Sequence, residues 1–291
     1  MSDFGKNVNL PVSSLASARS VLFAPGNDRR KLETALTSQA DVVVADLEDA
    51  VPPDEKPAAR RLVTDVLAGA GTTNVVAVRL NATDTPFWQD DVRALADVEL
   101  GALVLPKATP EAAVQLGHAG PPVLAIVETA AGLRRAYDVA ATPRVAALAL
   151  GAVDLGVELR LEPRNDGQEV LVARSLLVLD SAAAALRAPF DLVHLAFRDL
   201  DGLEAECRLA RSLGFRGKMC IHPAQVGVVN RVFSPTSDEL ERARRVVEAY
   251  DRGVSGGTGV VGLDGEMVDL PVVERARQVL AEAERSASNG S

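Results

Sequence analysis

Aromatic side chains are scarce, with one Trp, two Tyr and seven Phe in 291 residues, and the formal net charge is −9. A nucleic-acid surface needs a basic stripe and stacking rings, so together these facts exclude that class of partner. An anionic ligand stays open wherever basic residues cluster locally. Only Cys207 and Cys220 carry thiols, and they form no repeated framework, which points to a reducing cytoplasmic compartment. No run approaches the roughly 18 apolar residues of a membrane span. The opening MSDFGKNVNLPVSSLASA also lacks the apolar segment of a secretory signal. Residues 1–18 and 286–291 read as loose tails.

What is present is repetition. Short apolar runs recur as SVLFAPG from Ser20, VVVADLE from Val42, VVAVRLN from Val75, ALVLPK from Ala102, VLAIVET from Val123, AALALGA from Ala146, LVHLAF from Leu192 and KMCIHP from Lys218. Segments of helical periodicity lie between them. Thr109 before Pro110 reads as an N-cap with proline in the first turn, and Leu213-Gly214 as a helix end. Strands alternating with helices imply right-handed βαβ units and a parallel sheet, and eight such units can close into a (β/α)8 TIM barrel. No linker interrupts them, so residues 19–235 read as one barrel.

Beyond the barrel, the capping box TSDE opens a helix from Thr236 to Tyr250. A Gly-rich stretch, LDGEMVDLP and a last helix through Leu280 follow, and residues 236–285 read as a C-terminal helical extension, a lid or an oligomerisation arm. Gly257–Gly262 (GTGVVG) matches a dinucleotide-binding pattern, but it follows a helix and opens none, so it reads as a flexible turn.

Active sites in such barrels are built at the C-terminal ends of the strands. Polar residues gather there: Asn27; Glu48 and Asp49; Arg79 and Asn81; Lys107; Glu128; Asp154; Asp199; His222. The run VVVADLEDAVP, Val42–Pro52, ends a buried strand in Asp46, Glu48 and Asp49, with Asp46 and Glu48 expected on one strand face. Crowded carboxylates need a divalent cation, or Arg and Lys partners, of which Arg79 and Lys107 are nearest by strand order. His222 is equally a ligand or a structural ring. His194 reads as mid-strand, and it, His118 and the buried thiol Cys220 read as structural.

The markers FAPGN, DLEDAVPPDEK, VRLN, LPK, ETAAG, GAVDL, GKMCIHPAQ and DGEMVDLP stand in register from Arg19 to Ala276. The chain thereby resembles the citrate lyase β-subunit-like proteins, metal-dependent acyl-CoA lyases of the aldolase superfamily that include malyl-CoA and citramalyl-CoA lyases. The resemblance implies a carbon–carbon lyase that splits or forms a carboxylated 3-hydroxyacyl-CoA. It implies Mg²⁺, with Mn²⁺ able to substitute, on Glu128 and Asp154. Arg79 is implied at the reacting carbonyl, Glu48 and Asp49 beside the metal, and Asp269 as acid/base reaching a neighbouring subunit, hence a homo-oligomer, trimer or hexamer. CoA is implied on basic residues, here Arg30, Lys31, Lys56 and Arg60, with Asn27 and Lys107 on substrate. Relatives often carry Glu where Val153 stands, and D-L-G where Glu158-Leu159-Arg160 stands, which leaves the substrate open. Thioester hydrolysis, CoA-independent aldol chemistry and a non-catalytic subunit are the alternatives.

Overall fold

The computed structural model describes residues 13–69, 74–164 and 166–288. Eight parallel strands form a closed barrel in chain order: β1 (Ser20–Pro25), β2 (Val42–Asp46), β3 (Val75–Arg79), β4 (Ala102–Leu105), β5 (Val123–Val127), β6 (Val145–Leu150), β7 (Phe190–Asp191) and β8 (Gly217–Cys220). β8 returns alongside β1, with Met219 opposite Val21, and closes the wall.

Side chains alternate faces along a strand, and the core divides accordingly. Val21, Val44, Ala77, Val104, Ile126, Phe190 and Met219 belong to the barrel interior. Leu22, Val43, Val78, Leu105 and Cys220 belong to a second layer, shared with helix residues such as Leu32, Val63 and Val229. The same parity turns Asp46 and Arg79 inward at the C-terminal ends of β2 and β3, where burial of their charges must be compensated.

Two expectations change within the barrel unit. Part of the segment read as an N-terminal tail is packed: Ser13–Ala16 is helical, and Leu15 and Ala18 are buried with the interior side chains of the barrel. Residues 1–12 lie outside the described residues. The seventh strand is Phe190–Asp191, earlier and shorter than the run LVHLAF suggested. Past Asp191 the chain becomes a loop whose Leu195 and Phe197 are exposed. This loop is tied to the neighbouring unit of the barrel, because Gln225 Nε2 donates to His194 O at 2.8 Å and Phe197 stacks on His222 with ring centroids 5.0 Å apart.

Charged groups fill the space between this part of the wall and its helices. Arg174, on the helix Leu171–Ala183, donates to both Asp191 carboxylate oxygens at 2.9 and 3.0 Å and to Glu206 at 2.8 Å. Lys218 Nζ reaches Asp191 at 2.8 Å, and His194 Nδ1 lies 2.9 Å from Glu206. Burial by itself would raise the Asp191 carboxyl, but Lys218 and Arg174 outweigh it and hold the group below its ordinary range. Burial also pushes the thiols of Cys207 and Cys220 up to about 12, so neither is an ionised nucleophile at neutral pH.

The barrel unit ends at Phe233, and a second compact unit begins at Ser234. In that unit Thr236 and Glu239 form the expected capping box for the helix Ser237–Ser255. A hairpin, Val261–Leu263 with Glu266–Val268, then precedes the helix Leu270–Ser288. Asp264 and Gly265 form its turn with φ of 53° and 83°. The Asp-Gly pair is the local signal for such a turn. The last helix continues through residues 286–288, where a tail was expected, and 289–291 lie outside the described residues. Among the described residues no helix is long and apolar enough to cross a membrane.

Removing one partner from a buried ion cluster leaves the others uncompensated. Asp191→Asn is therefore expected to cost about 3 kcal/mol or more in urea unfolding at pH 7; a loss within experimental error would show that the cluster does not hold this side of the barrel.

Candidate active site at the barrel mouth

Asp46 is the hub. Its carboxylate accepts from Arg79 Nε and Nη2 at 2.7 and 2.6 Å, and also from the backbone N–H of Glu48 and Ala50 at 2.9 and 3.2 Å. The strand ends at Asp46, so Glu48 does not continue its face as expected; a bend held by Asp46 aims it instead. Arg79 Nη1 then lies 3.0 Å from Glu48 Oε2 and 3.6 Å from Asp49, and its guanidinium sits 5.2 Å from the Phe23 ring centroid.

Lys107 joins the opposite wall. Its ammonium is 2.8 Å from Glu48 Oε1 and 3.2 Å from Asp154 Oδ2, while its backbone N–H donates to Glu128 Oε1 at 2.7 Å. Lys107 adopts φ of 47°, the left-handed region that a residue with a Cβ enters at a cost, which is a mark of functional sites. Gly151, after β6, touches Glu128: a Cβ there would lie 2.3 Å from Glu128 Cβ and 2.5 Å from Oε2.

Five carboxylates, on Asp46, Glu48, Asp49, Glu128 and Asp154, thus face two cations, Arg79 and Lys107. Burial, joined by the Glu48 charge, pushes the Glu128 carboxyl up to about 7. Burial raises Glu48 as well, against the pull of Arg79 and Lys107. Burial works against the charges of Arg79 and Lys107, but the surrounding carboxylates win and hold both firmly protonated.

The donor set fits a divalent cation. Glu48 Oε2 is buried without an aligned hydrogen bond, and the acid excess is what such an ion would offset. Among the described residues no cluster of three or more His, Cys, Asp or Glu forms a cage. Two carboxylates with open positions suit Mg²⁺, which keeps waters and takes substrate oxygens.

The basic residues divide. Asn27, Arg30 and Lys31 line a cavity of about 640 Å³ together with Arg29, Pro52 and Leu62. Lys56 and Arg60, expected beside them, are buried and already engaged, which corrects their reading as CoA ligands. Lys56 Nζ donates to the carbonyls of Leu47 and Glu48, and Arg60 Nε donates to Asp91 at 2.7 Å. Asn81 is likewise internal, its side-chain amide donating to Asp91 at 2.6 Å. Asp199 and His222 cap the helices Leu200–Leu213 and Pro223–Val232. His118 lies in an exposed turn. Asp269 belongs to the second unit, where its Oδ1 accepts from Val272 N at the start of the last helix. Phe23 and Gly151 escaped the sequence reading: Phe23 shares the inward parity of β1, and Gly151 stands just after β6. Glu158, read only as a departure in the loop after β6, accepts from Ala130 N at 2.9 Å.

The barrel and this mouth define a class, and comparison with known proteins agrees. Residues 19–223 match the HpcH/HpaI aldolase/citrate lyase family, and residues 175–285 match C–C bond lyases of the TIM-barrel fold. The chain belongs to the HpcH/HpaI aldolase/citrate lyase family, in its citrate lyase β-like branch. It is 40% identical to a (3S)-malyl-CoA thioesterase of Cereibacter sphaeroides, over 94% of this chain and 97% of that one. It is 36% identical to citrate lyase subunit beta of Leuconostoc mesenteroides, over 90% and 92%. The structure of CitE from Mycobacterium tuberculosis in complex with magnesium, acetoacetate and coenzyme A superposes with a TM-score of 0.81 at 34% identity, covering 92% of this chain and 99% of that chain. The citrate lyase beta subunit complexed with oxaloacetate and magnesium, from the same organism, gives a TM-score of 0.69 at 34% identity, covering 76% and 100%.

An acid whose folded-state pKa is raised destabilises the native state once pH exceeds its ordinary value, the penalty growing until pH passes the raised value. In protein kept free of divalent cations, Glu128→Gln is therefore expected to raise stability at pH 8 by about 2–3 kcal/mol and to leave it unchanged near pH 4. Equal effects at both pH values in urea unfolding would contradict the buried-acid account. Gly151→Ala is expected to displace Glu128, so that a Mg²⁺ ion held there would bind about 10-fold or more weakly in calorimetry; unchanged affinity would show that the contact is slack.

Proposed function

We propose that this chain is a Mg²⁺-dependent carbon–carbon lyase. Its substrate would be a 3-hydroxyacyl-CoA bearing a carboxylate beside the hydroxyl, cleaved to an acyl-CoA and a 2-oxo acid or formed from them. The observation that carries this reading is the convergence of Glu128, Asp154, Glu48, Lys107 and Arg79 at one barrel mouth. Glu128 and Asp154 would hold Mg²⁺ or Mn²⁺, which when bound supplies Lewis-acid polarisation and a template for the substrate oxygens.

The chain's own residues do the rest. Arg79, clamped by Asp46 and permanently charged, faces the oxygen where enolate charge develops. Glu48 and Asp49, both beside Arg79, are placed to take the hydroxyl proton whose loss lets the bond break. Asp269 protonates the enolate carbon in cleavage, or removes a proton there in condensation. It does so from a second copy, which makes the working unit a homo-oligomer, trimer or hexamer. Arg30, Lys31 and Asn27 hold the CoA phosphates in the cavity that they line. The enzyme works in the cytoplasm.

A second reading is favoured by the identity to a malyl-CoA thioesterase. It keeps the same residues but has water attack the thioester carbonyl, with Arg79 steadying the oxyanion.

Products separate the two. Incubation with Mg²⁺ and malyl-, citramalyl- or citryl-CoA, followed by mass spectrometry, is expected to yield a 2-oxo acid and an acyl-CoA, whereas hydroxymethylglutaryl-CoA, whose carboxylate is one carbon removed from the hydroxyl carbon, is expected to remain intact; free CoA with the intact hydroxy acid establishes the thioesterase instead. Glu128→Ala and Asp154→Ala are each expected to abolish turnover with the circular-dichroism spectrum unchanged, and full activity in EDTA removes the cation from the mechanism. Asp269→Asn is expected to keep substrate affinity while suppressing solvent-proton exchange at the enolate carbon.

A further inference from the structure

Lys56 opens the helix Lys56–Ala68, yet only 6% of it is exposed. An ammonium there is unfavourable twice over. It is removed from water, and it sits at the positive end of a helix dipole. Burial pulls its pKa down, opposed by the charges of Asp91, Asp46, Glu48 and Asp49. An apolar chain of the same length would avoid both costs, so the contacts of the charge must explain its presence.

Those contacts are specific. Nζ donates to Leu47 O at 2.9 Å and to Glu48 O at 3.0 Å, and it lies 5.2 Å from the Phe87 ring centroid. The two carbonyls belong to the residues that follow β2. On the other side of the same bend, Asp46 accepts the N–H of Glu48 and of Ala50. The peptide group before Glu48 is thus gripped at its N–H by a buried carboxylate and at its C=O by a buried ammonium, and the peptide group after it is held at its C=O by the same ammonium. With the backbone fixed at both, the Glu48 side chain is aimed at Arg79 Nη1 and Lys107 Nζ, at 3.0 and 2.8 Å.

We propose that Lys56 is a positioning residue of the active site, holding the bend after β2 so that Glu48 meets Arg79 and Lys107. The inference rests on the proposed function in one respect only, that Glu48 and Arg79 serve the reaction. The ammonium itself acts through the backbone carbonyls and touches no reacting group.

Lys56→Met keeps an unbranched stem as far as the ε position and removes the donor, while Lys56→Gln keeps an N–H donor group. The bend retains its backbone bonds, Leu47 N to Arg79 O and Val51 N to Glu48 O, so both variants are expected to fold. With Mg²⁺-loaded protein and malyl-CoA, Lys56→Met is expected to lower kcat roughly 100-fold with KM nearly unchanged, as a catalytic group displaced by about 1 Å would. Lys56→Gln is expected to recover part of that loss. Independently of turnover, the Arg79 Nε–H resonance in a ¹⁵N spectrum should shift in Lys56→Met and return toward its wild-type position in Lys56→Gln. A purely structural lysine would lower the melting temperature and leave that resonance of the folded protein in place. Wild-type kcat in folded Lys56→Met, or an unmoved Arg79 signal, overturns the proposal. If the wild-type protein turns over none of the CoA thioesters, it is the functional reading that fails, and the Arg79 resonance alone decides the role of Lys56. If Lys56→Met does not fold, Lys56→Gln is judged by the same two readouts.

Discussion

The paired contact between the Asp46 carboxylate and the Arg79 guanidinium is the constraint on which the mouth of the barrel depends. Both groups face inward by strand parity, so neither can escape to solvent, and each is the other's compensation. The remaining capacity of Asp46 goes to two backbone N–H groups of the bend that carries Glu48. One carboxylate therefore orients a cation and the next acid in the chain. The aliphatic interior below, built from residues such as Val44, Ala77 and Ile126, supplies the dry surroundings in which that contact is strong.

From this anchor the charges spread across the mouth in a connected order. Arg79 meets Glu48, Glu48 meets Lys107, and Lys107 meets Asp154 with its ammonium and Glu128 with its backbone. The acids outnumber the bases, and the imbalance is concentrated on Glu128, whose carboxyl lies against Gly151 with no intervening side chain. The proposed cation would sit where repulsion is greatest. The same logic runs in the opposite sense around Asp191, where Arg174 and Lys218 satisfy the acid fully. That second cluster faces the helices and serves stability.

How much of this was legible in the sequence depended on whether the signal was local. The barrel was legible because all strands but β7 carry their own apolar run, helix boundaries such as Thr109-Pro110 and Leu213-Gly214 are marked locally, and the eight repeats fall in order. The acids and bases at the strand ends were legible for the same reason. Lys56 and Arg60 were misread because a basic residue at a helix start looks solvated from sequence; what buries them are Leu47, Glu48 and Asp91, contacts made only by folding. Asn81 was misread for the same cause. Strand β7 was misplaced because LVHLAF has the composition of a strand, while the residues that pair are Phe190 and Asp191 just before it. Gly151 was silent because a missing side chain matters only through what lies against it.

The brevity of β7 has a mechanical consequence. A single residue pair, Ala149 with Phe190, joins it to β6, whereas β1 and β2 share five and β2 and β3 share five. The cylinder is thus unevenly stitched: a well-paired arc carries the Asp46–Arg79 anchor, and across from it lies a sparsely paired strand that ionic side chains tie to β8 and to the helices behind it. Fewer cross-strand hydrogen bonds mean less resistance to local opening, so the groups that must keep their mutual aim stand on the better-paired flank of the wall.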